Sequence, residues 1–229
     1  MPKRREDIRS GSPTGAGPTA HSVKNMNVKR TVVQRFAHLF AAGLLVAGLT
    51  LGSGSAFAGA ATDVVKEKQS ALFTLIKGSG NDKKVADMLD EMLDYQTLSQ
   101  DSLGTEWGPR SDAEKSQFTD LLKQLVRKSY EKNLKKIVGY DIAYTGEEAS
   151  GSATLVKTTA KSTTDNREDP ISLGFKMGQV GGKWKVQDIL TENVSLTGSY
   201  RSQFTKVIKK DGFPALIQKM KDKLAKGDV

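Results

Sequence analysis

The hydrophobic period of the chain changes from 3.6 to 2 at Gly139, and this switch limits the folds open to it. Downstream of Gly139 apolar and polar residues alternate, the pattern of a strand with one covered face. Tyr140, Ile142 and Tyr144 begin it, and "GEEASG" (146–151) turns the chain. "SATLVKTTAK" (152–161) is β-prone, and "TTDNRED" (163–169) is the next turn. Ile171, Leu173, Phe175 and Met177 then alternate with Ser172, Gly174 and Lys176, and "GQVGGK" leads to a last strand from Trp184. Four successive strands with short turns predict an antiparallel meander with one apolar face.

Upstream of Gly139 the apolar residues recur every three or four positions, as on a helix face. One helix is expected over about 62–77, with Val65, Leu72, Phe73 and Ile76 aligned, and "GSGN" (78–81) breaks it. A second starts at an Asp82 cap and carries Val85, Met88, Leu89 and Met92. Residues 95–111 read as a short irregular or helical link. Ser111 and Glu114 then form a capping box for the longest helix, which runs to about Val138 with Phe118, Leu121, Leu122, Leu125 and Tyr130 in its stripe. After the strands, Tyr200, Phe204, Val207 and Ile208 mark one helix, and Gly212 and Pro214 break it. Leu216, Ile217, Met220 and Leu224 mark the last helix. The sum is an α+β fold, with helices packed on a four-stranded antiparallel sheet.

The last strand poses a question. Trp184, Val186 and Leu190 fall on one face at period 2, and Asp188 falls among them. A buried carboxylate is costly unless paired. A bulge or strand end near Asp188 would turn Ile189 to the core instead. The carboxylate would then accept from backbone donors or from Arg201. A catalytic role is the other reading, because a single acid serves as general base in some cone-shaped α+β enzymes. That chemistry needs an oxyanion partner, and only ordinary tyrosines are present.

The front of the chain has a different character. "LFAAGLLVAGLTL" (39–51) is uncharged and apolar; Lys29, Arg30 and Arg35 precede it, and "AFA" (56–58) follows. These are the three regions of a secretory signal peptide, with cleavage expected after Ala58. Thirteen residues are too few to span a bilayer core, which takes about 20. Such leaders have short basic starts, which makes Met26 a candidate start codon within the Gly-, Ser- and Pro-rich stretch that opens the chain. Residues 1–58 thus read as leader and signal, and 59–229 as a single domain without repeat or linker.

Export would change the chemistry available. The leader holds eight of the 35 basic residues and two of the 26 acidic ones, so the remainder carries +3 rather than +9. That weakens any nucleic-acid reading, which rests on dense positive charge. His21 and His38, the two histidines, are both in the leader, and the chain has no cysteine. The exported part would have no Ser-His-Asp triad, no cysteine nucleophile and no His/Cys zinc site. "GQVGGKW" only superficially resembles a phosphate-binding loop and belongs to a hairpin. "DNRED" (165–169) reads as a solvated turn rather than a cation site. The pairs Asp90-Glu91 and Glu147-Glu148 are spaced to point at solvent. Basic runs at 127–136 and 206–226 read as solvated helix faces, with anionic headgroups or an acidic partner as the alternative.

"WKVQDILTENVSLTGSYRSQF" (184–204) and "MLDYQTLSQDSLGTEWGPRSDAEKSQFTDLLKQLVRKSYEKNL" (92–134) resemble the MlaC, or toluene-tolerance, family. The similarity covers about 63–224 with the elements in the same order. Asn193 stands where glycine is common in the family, and asparagine also tolerates a left-handed turn. The resemblance implies a periplasmic phospholipid carrier that is not an enzyme and needs no cofactor beyond its lipid cargo. Its implied partners are an outer-membrane lipoprotein–porin complex and an inner-membrane ABC transporter complex, in a system that maintains outer-membrane lipid asymmetry. A hopanoid or another lipid remains an alternative cargo.

A carrier must hide acyl chains, at about 0.8 kcal/mol for each buried methylene. The resemblance therefore implies an apolar cavity between sheet and helices. Leu122 and Tyr130 of the long helix would line it, with Leu155, Ile171, Leu173, Phe175 and Val186 of the strands and Tyr200 and Phe204 of the following helix. The same stripes describe an ordinary filled core, which residue pattern alone favours. Three hypotheses stand: a lipid-transfer protein, a cone-shaped α+β small-molecule enzyme, and a solid-core adaptor that binds only proteins.

Overall fold

The computed structural model describes residues 59–78, 81–137, 139–165 and 167–227, with only the backbone of 130–137. The expected leader, with Met26 and the signal, lies outside the described residues. Three helices come first: α1 (Ala60–Lys77), α2 (Asp82–Met92) and α3 (Tyr95–Leu103). A 3-10 turn (Gly104–Glu106) leads to α4 (Asp112–Ile137). The strands are β1 (Tyr140–Ser150), β2 (Ala153–Ser162), β3 (Ile171–Val180), β4 (Lys183–Thr191) and β5 (Val194–Ser195). Helices α5 (Leu196–Asp211) and α6 (Phe213–Lys226) close the chain.

The local signals act as expected. The Ser111 amide donates to Glu114 Oε2 at 2.9 Å, and the Glu114 amide donates to Ser111 Oγ at 3.3 Å, completing the capping box of α4. The link after Leu93 is largely helix, because Asp94 caps it: Oδ1 accepts the Thr97 amide at 3.1 Å. Gly212 takes φ 83° between α5 and α6, and Pro214 fills the first turn of α6.

The sheet is an antiparallel meander in the order β1-β2-β3-β4-β5. Its fifth strand corrects the expected four. Glu192 and Asn193 take φ 50° and 60°, so the chain reverses in two residues and pairs Val194 with Thr191. One face is the core face. It carries Ile142 and Tyr144 of β1, Val156, Thr158 and Ala160 of β2, and Leu173, Phe175 and Met177 of β3. Helix α1 packs on β1 and β2, and α2, α3 and α5 each meet β4. Helix α4 packs on α2, α3 and α6.

Two bulges break the alternation. In β4, Met177 pairs with Val186 but Lys176 pairs with Asp188, so Gln187 is the extra residue. Trp184 and Val186 face the core before it, and Ile189 and Thr191 after it. Asp188 and Leu190 therefore stand on the opposite face, which corrects the expected placing of Leu190 beside Trp184. In β1, Tyr144 pairs with Thr158 and Gly146 with Lys157, so Thr145 is extra. This turns Glu147, paired with Val156, to the core face and Glu148 outward.

That second bulge overturns part of the solvent reading for the paired acids. Glu91 and Glu148 are exposed, but Glu147 reaches α1 and Asp90 binds two cations on α4. Of the first basic run, Arg127 holds Asp90, and Lys128 Nζ donates to the Leu224 carbonyl at 2.9 Å. Lys206, Lys209, Lys210, Lys221, Lys223 and Lys226 of the second run are exposed.

Candidate functional site

Asp188 is answered first. Its Oδ1 accepts the amides of Ile189 at 2.9 Å and Thr197 at 3.1 Å, and its Oδ2 accepts the Ser195 hydroxyl at 2.5 Å. Ser195 is itself the N-cap of α5, accepting the Gly198 amide at 2.9 Å. The carboxylate is thus spent on the start of a helix, where negative charge is favourable. Arg201, the other expected partner, turns away and donates from Nε to the Asp101 carbonyl at 2.7 Å.

The expected lining residues separate into groups. Leu122, Leu173, Phe175 and Val186 are fully buried members of one apolar cluster. Ile171, Tyr200 and Phe204 pack against that cluster but are only partly covered. Leu155 is on the other face of the sheet: it pairs with Lys176, and its methyl lies within 3.0 Å of where a side chain on Gly174 would begin. The structure does not bring Leu155 together with Leu173, because strand neighbours at odd and even positions point apart. The side chain of Tyr130 lies outside the described residues.

Helix α5 differs from its neighbours. It packs against α3, α6 and β4. Yet of its sixteen residues only Thr197 is buried, and Tyr200, Phe204, Val207 and Ile208 all keep accessible surface. Tyr200 stacks on Phe204, with ring centres 5.3 Å apart and planes within 2°. Phe204 meets the fully buried Phe118 edge-on at 5.6 Å. Burial pushes the Tyr200 hydroxyl up to about 12. Protein interiors are normally close-packed. Helix α5 therefore presents an apolar wall that the rest of the chain covers only in part. Val207 and Ile208 join this wall although they were not among the expected lining residues. Their positions seven and eight residues after Tyr200 were the available signal.

The chemistry of this wall is apolar. Among the described residues, no group of three or more His, Cys, Asp or Glu is placed to hold a metal ion. Asp165 is engaged by Arg167, whose Nε donates to Oδ1 at 3.0 Å, so the "DNRED" turn is internally paired. No helix among the described residues is long and apolar enough to cross a membrane.

A family model described as "MlaC protein" matches residues 59–222. This chain belongs to the MlaC family. The match takes in every element given above, the last helix as far as residue 222. No curated protein is significantly similar in sequence. A phospholipid-binding protein from Ralstonia solanacearum, solved in complex with a phospholipid, has a similar structure. Its TM-score is 0.63 and its identity 25%, over 75% of this chain and 100% of that one. The α+β fold expected from the sequence is the fold of this MlaC-family domain, with one more strand than expected. Asn193 takes φ 60°, the left-handed region that asparagine tolerates.

Proposed function

We propose that this MlaC-family protein binds a phospholipid, its acyl chains held along α5 and the core face of the sheet. The incomplete covering of Tyr200, Phe204, Val207 and Ile208, on a helix that packs against α3, α6 and β4, is the observation that carries this reading. The Ralstonia solanacearum protein of similar fold, in complex with a phospholipid, supports the lipid class. A pair of long acyl chains withdrawn from water gains of order 10 kcal/mol or more, so an apolar wall needs few polar contacts.

In this reading the protein is a carrier rather than an enzyme. Asp188, the acid among the apolar residues of β4, has both oxygens committed to α5. The chain is exported to the periplasm by a signal peptide cleaved after Ala58. It moves phospholipid between an outer-membrane lipoprotein–porin complex and an inner-membrane ABC transporter complex, as part of maintaining outer-membrane lipid asymmetry. Family membership and the A-x-A motif at 56–58 support this setting.

Organic extraction of the purified protein followed by mass spectrometry tests the central claim. Phospholipid at close to one molecule per chain is expected. A lipid-free protein that also fails to take up phospholipid from vesicles overturns it, and a hopanoid in the extract reassigns the cargo.

A further inference from the structure

The N-cap position of α1 is Gly59, which has no side chain to cap with. The capping group comes from β1 instead. Glu147 Oε2 accepts the Thr62 amide at 3.0 Å and the Thr62 hydroxyl at 2.7 Å. The bulge at Thr145 is what delivers it, because it moves Glu147 to the face that α1 covers. The fit is close. A Cβ on Gly59 would lie 2.2 Å from Cδ and both carboxylate oxygens of Glu147. A residue's nitrogen is about 2.5 Å from its own Cβ by standard bond lengths, so the Gly59 nitrogen lies no more than about 4.7 Å from either carboxylate oxygen. Both hydrogen bonds to Thr62 use Oε2, and among the described residues Oε1 takes none.

Gly59 is also the residue after the A-x-A motif at 56–58. In the unprocessed chain its nitrogen is a neutral amide. After cleavage the same atom is an ammonium group, with an ordinary pKa of roughly 7.7–8.0. We propose that Glu147 is the receptor for the amino terminus created by signal-peptide removal, so that processing itself locks α1 onto β1. Water hydrolyses the Ala58–Gly59 peptide bond: its oxygen goes to the Ala58 carboxylate and its two hydrogens to the Gly59 nitrogen, which becomes the ammonium that pairs with Glu147. Gly59 suits the position because any side chain there would displace the carboxylate. This inference rests on the export reading above.

The sign is set by the partner. An ammonium held by a carboxylate has a raised pKa in the folded state. The stability it contributes is fully present below the unfolded value, near 8, and is lost as pH rises through the folded value.

The test uses the processed protein recovered after export. Its intact mass comes first: a start other than Gly59 removes cleavage at this site, and this inference with it, while leaving lipid binding to its own test. With the start at Gly59, the α-amine is titrated by NMR after ¹³C-dimethylation, which keeps its charge. A titration midpoint above the ordinary range, returning to it in Glu147→Gln, is expected. A wild-type α-amine that titrates in the ordinary range overturns the proposal. Acetylating the wild-type terminus decides the matter even if Glu147→Gln fails to fold. The acetylated protein should melt a few degrees lower at pH 6, with the gap closing toward pH 10. Equal melting temperatures at both pH values overturn the proposal.

Discussion

Asp188 and Ser195 are joined side chain to side chain at 2.5 Å, across the two-residue reversal that ends β4. The contact ties the strand to the first turn of α5, the helix that bears the apolar wall. Removing the carboxylate leaves the Thr197 amide and the Ser195 hydroxyl without their acceptor. Asp188→Ala should therefore cost about 2–4 kcal/mol. Asp188→Asn should cost less, because the amide oxygen still accepts. In both variants the folded protein should retain its lipid. Thermal midpoint and lipid content on one sample check this; an unchanged midpoint with lost lipid would give Asp188 a direct part in binding.

Ile171 and Phe175 share the core face of β3, four residues apart, but differ in covering: Phe175 is buried and Ile171 only partly so. A charge at Phe175 has no route to water. Phe175→Glu should unfold the domain, at a cost of several kcal/mol. Ile171→Glu can keep its charge hydrated and should remain folded while losing bound phospholipid. Circular dichroism and lipid extraction separate the two. A folded Ile171→Glu protein with full lipid occupancy would take Ile171 out of the site.

Phe118 and Tyr200 allow a second comparison. Phe118 is completely covered, and Phe118→Ala should cost about 3–5 kcal/mol. Tyr200 is only partly covered, so Tyr200→Ala should cost distinctly less in the lipid-free protein. Denaturant unfolding of lipid-free protein measures both, and equal costs would mean that Tyr200 is packed like any core residue.

Asp90 sets an acid limit. Burial raises its pKa, but hydrogen bonds from Arg127 and Lys123 and the charges of both outweigh this and hold it below the ordinary value. Its contribution is present above the unfolded value, near 3.9, and is lost as pH falls through the lower folded value. Asp90→Asn should destabilise by about 1–2 kcal/mol at pH 7. The difference from wild type should vanish on acidification to about pH 2. A difference that persists there would point to shape rather than charge.

Asp94 ties α3 to β4. It caps α3, its amide donates to the Val186 carbonyl at 2.9 Å, and its Oδ2 accepts Gln187 Nε2 at 3.2 Å. Asp94→Ala should cost about 1–2 kcal/mol, the loss of one cap. Gln187→Ala, which removes one neutral donor, should cost about 1 kcal/mol or less. Chemical denaturation resolves the order, and the reverse order would make the bulge contact the stronger tie.

By itself the sequence determined what depends on neighbours along the chain. The period change at Gly139 located the strands, because side-chain direction repeats every two residues in a strand and every 3.6 in a helix. The Ser111–Glu114 box, the Gly212–Pro214 break and the left-handed tolerance of Asn193 are all local, and all are found in place. Even the oddity of Asp188 was legible, since a carboxylate in an apolar run calls for a bulge. Tertiary structure decided the rest. Glu147 meets Thr62 across 85 residues, and nothing in "GEEASG" announces it, because one extra residue at Thr145 inverts the faces that follow. Leu155 and Leu173 read alike as strand hydrophobics, and only the pairing register put them on opposite faces. Periodicity marked Phe118 and Tyr200 alike as apolar stripe residues; the packing of α5 left one covered and the other partly exposed, because covering depends on partners that no local pattern encodes.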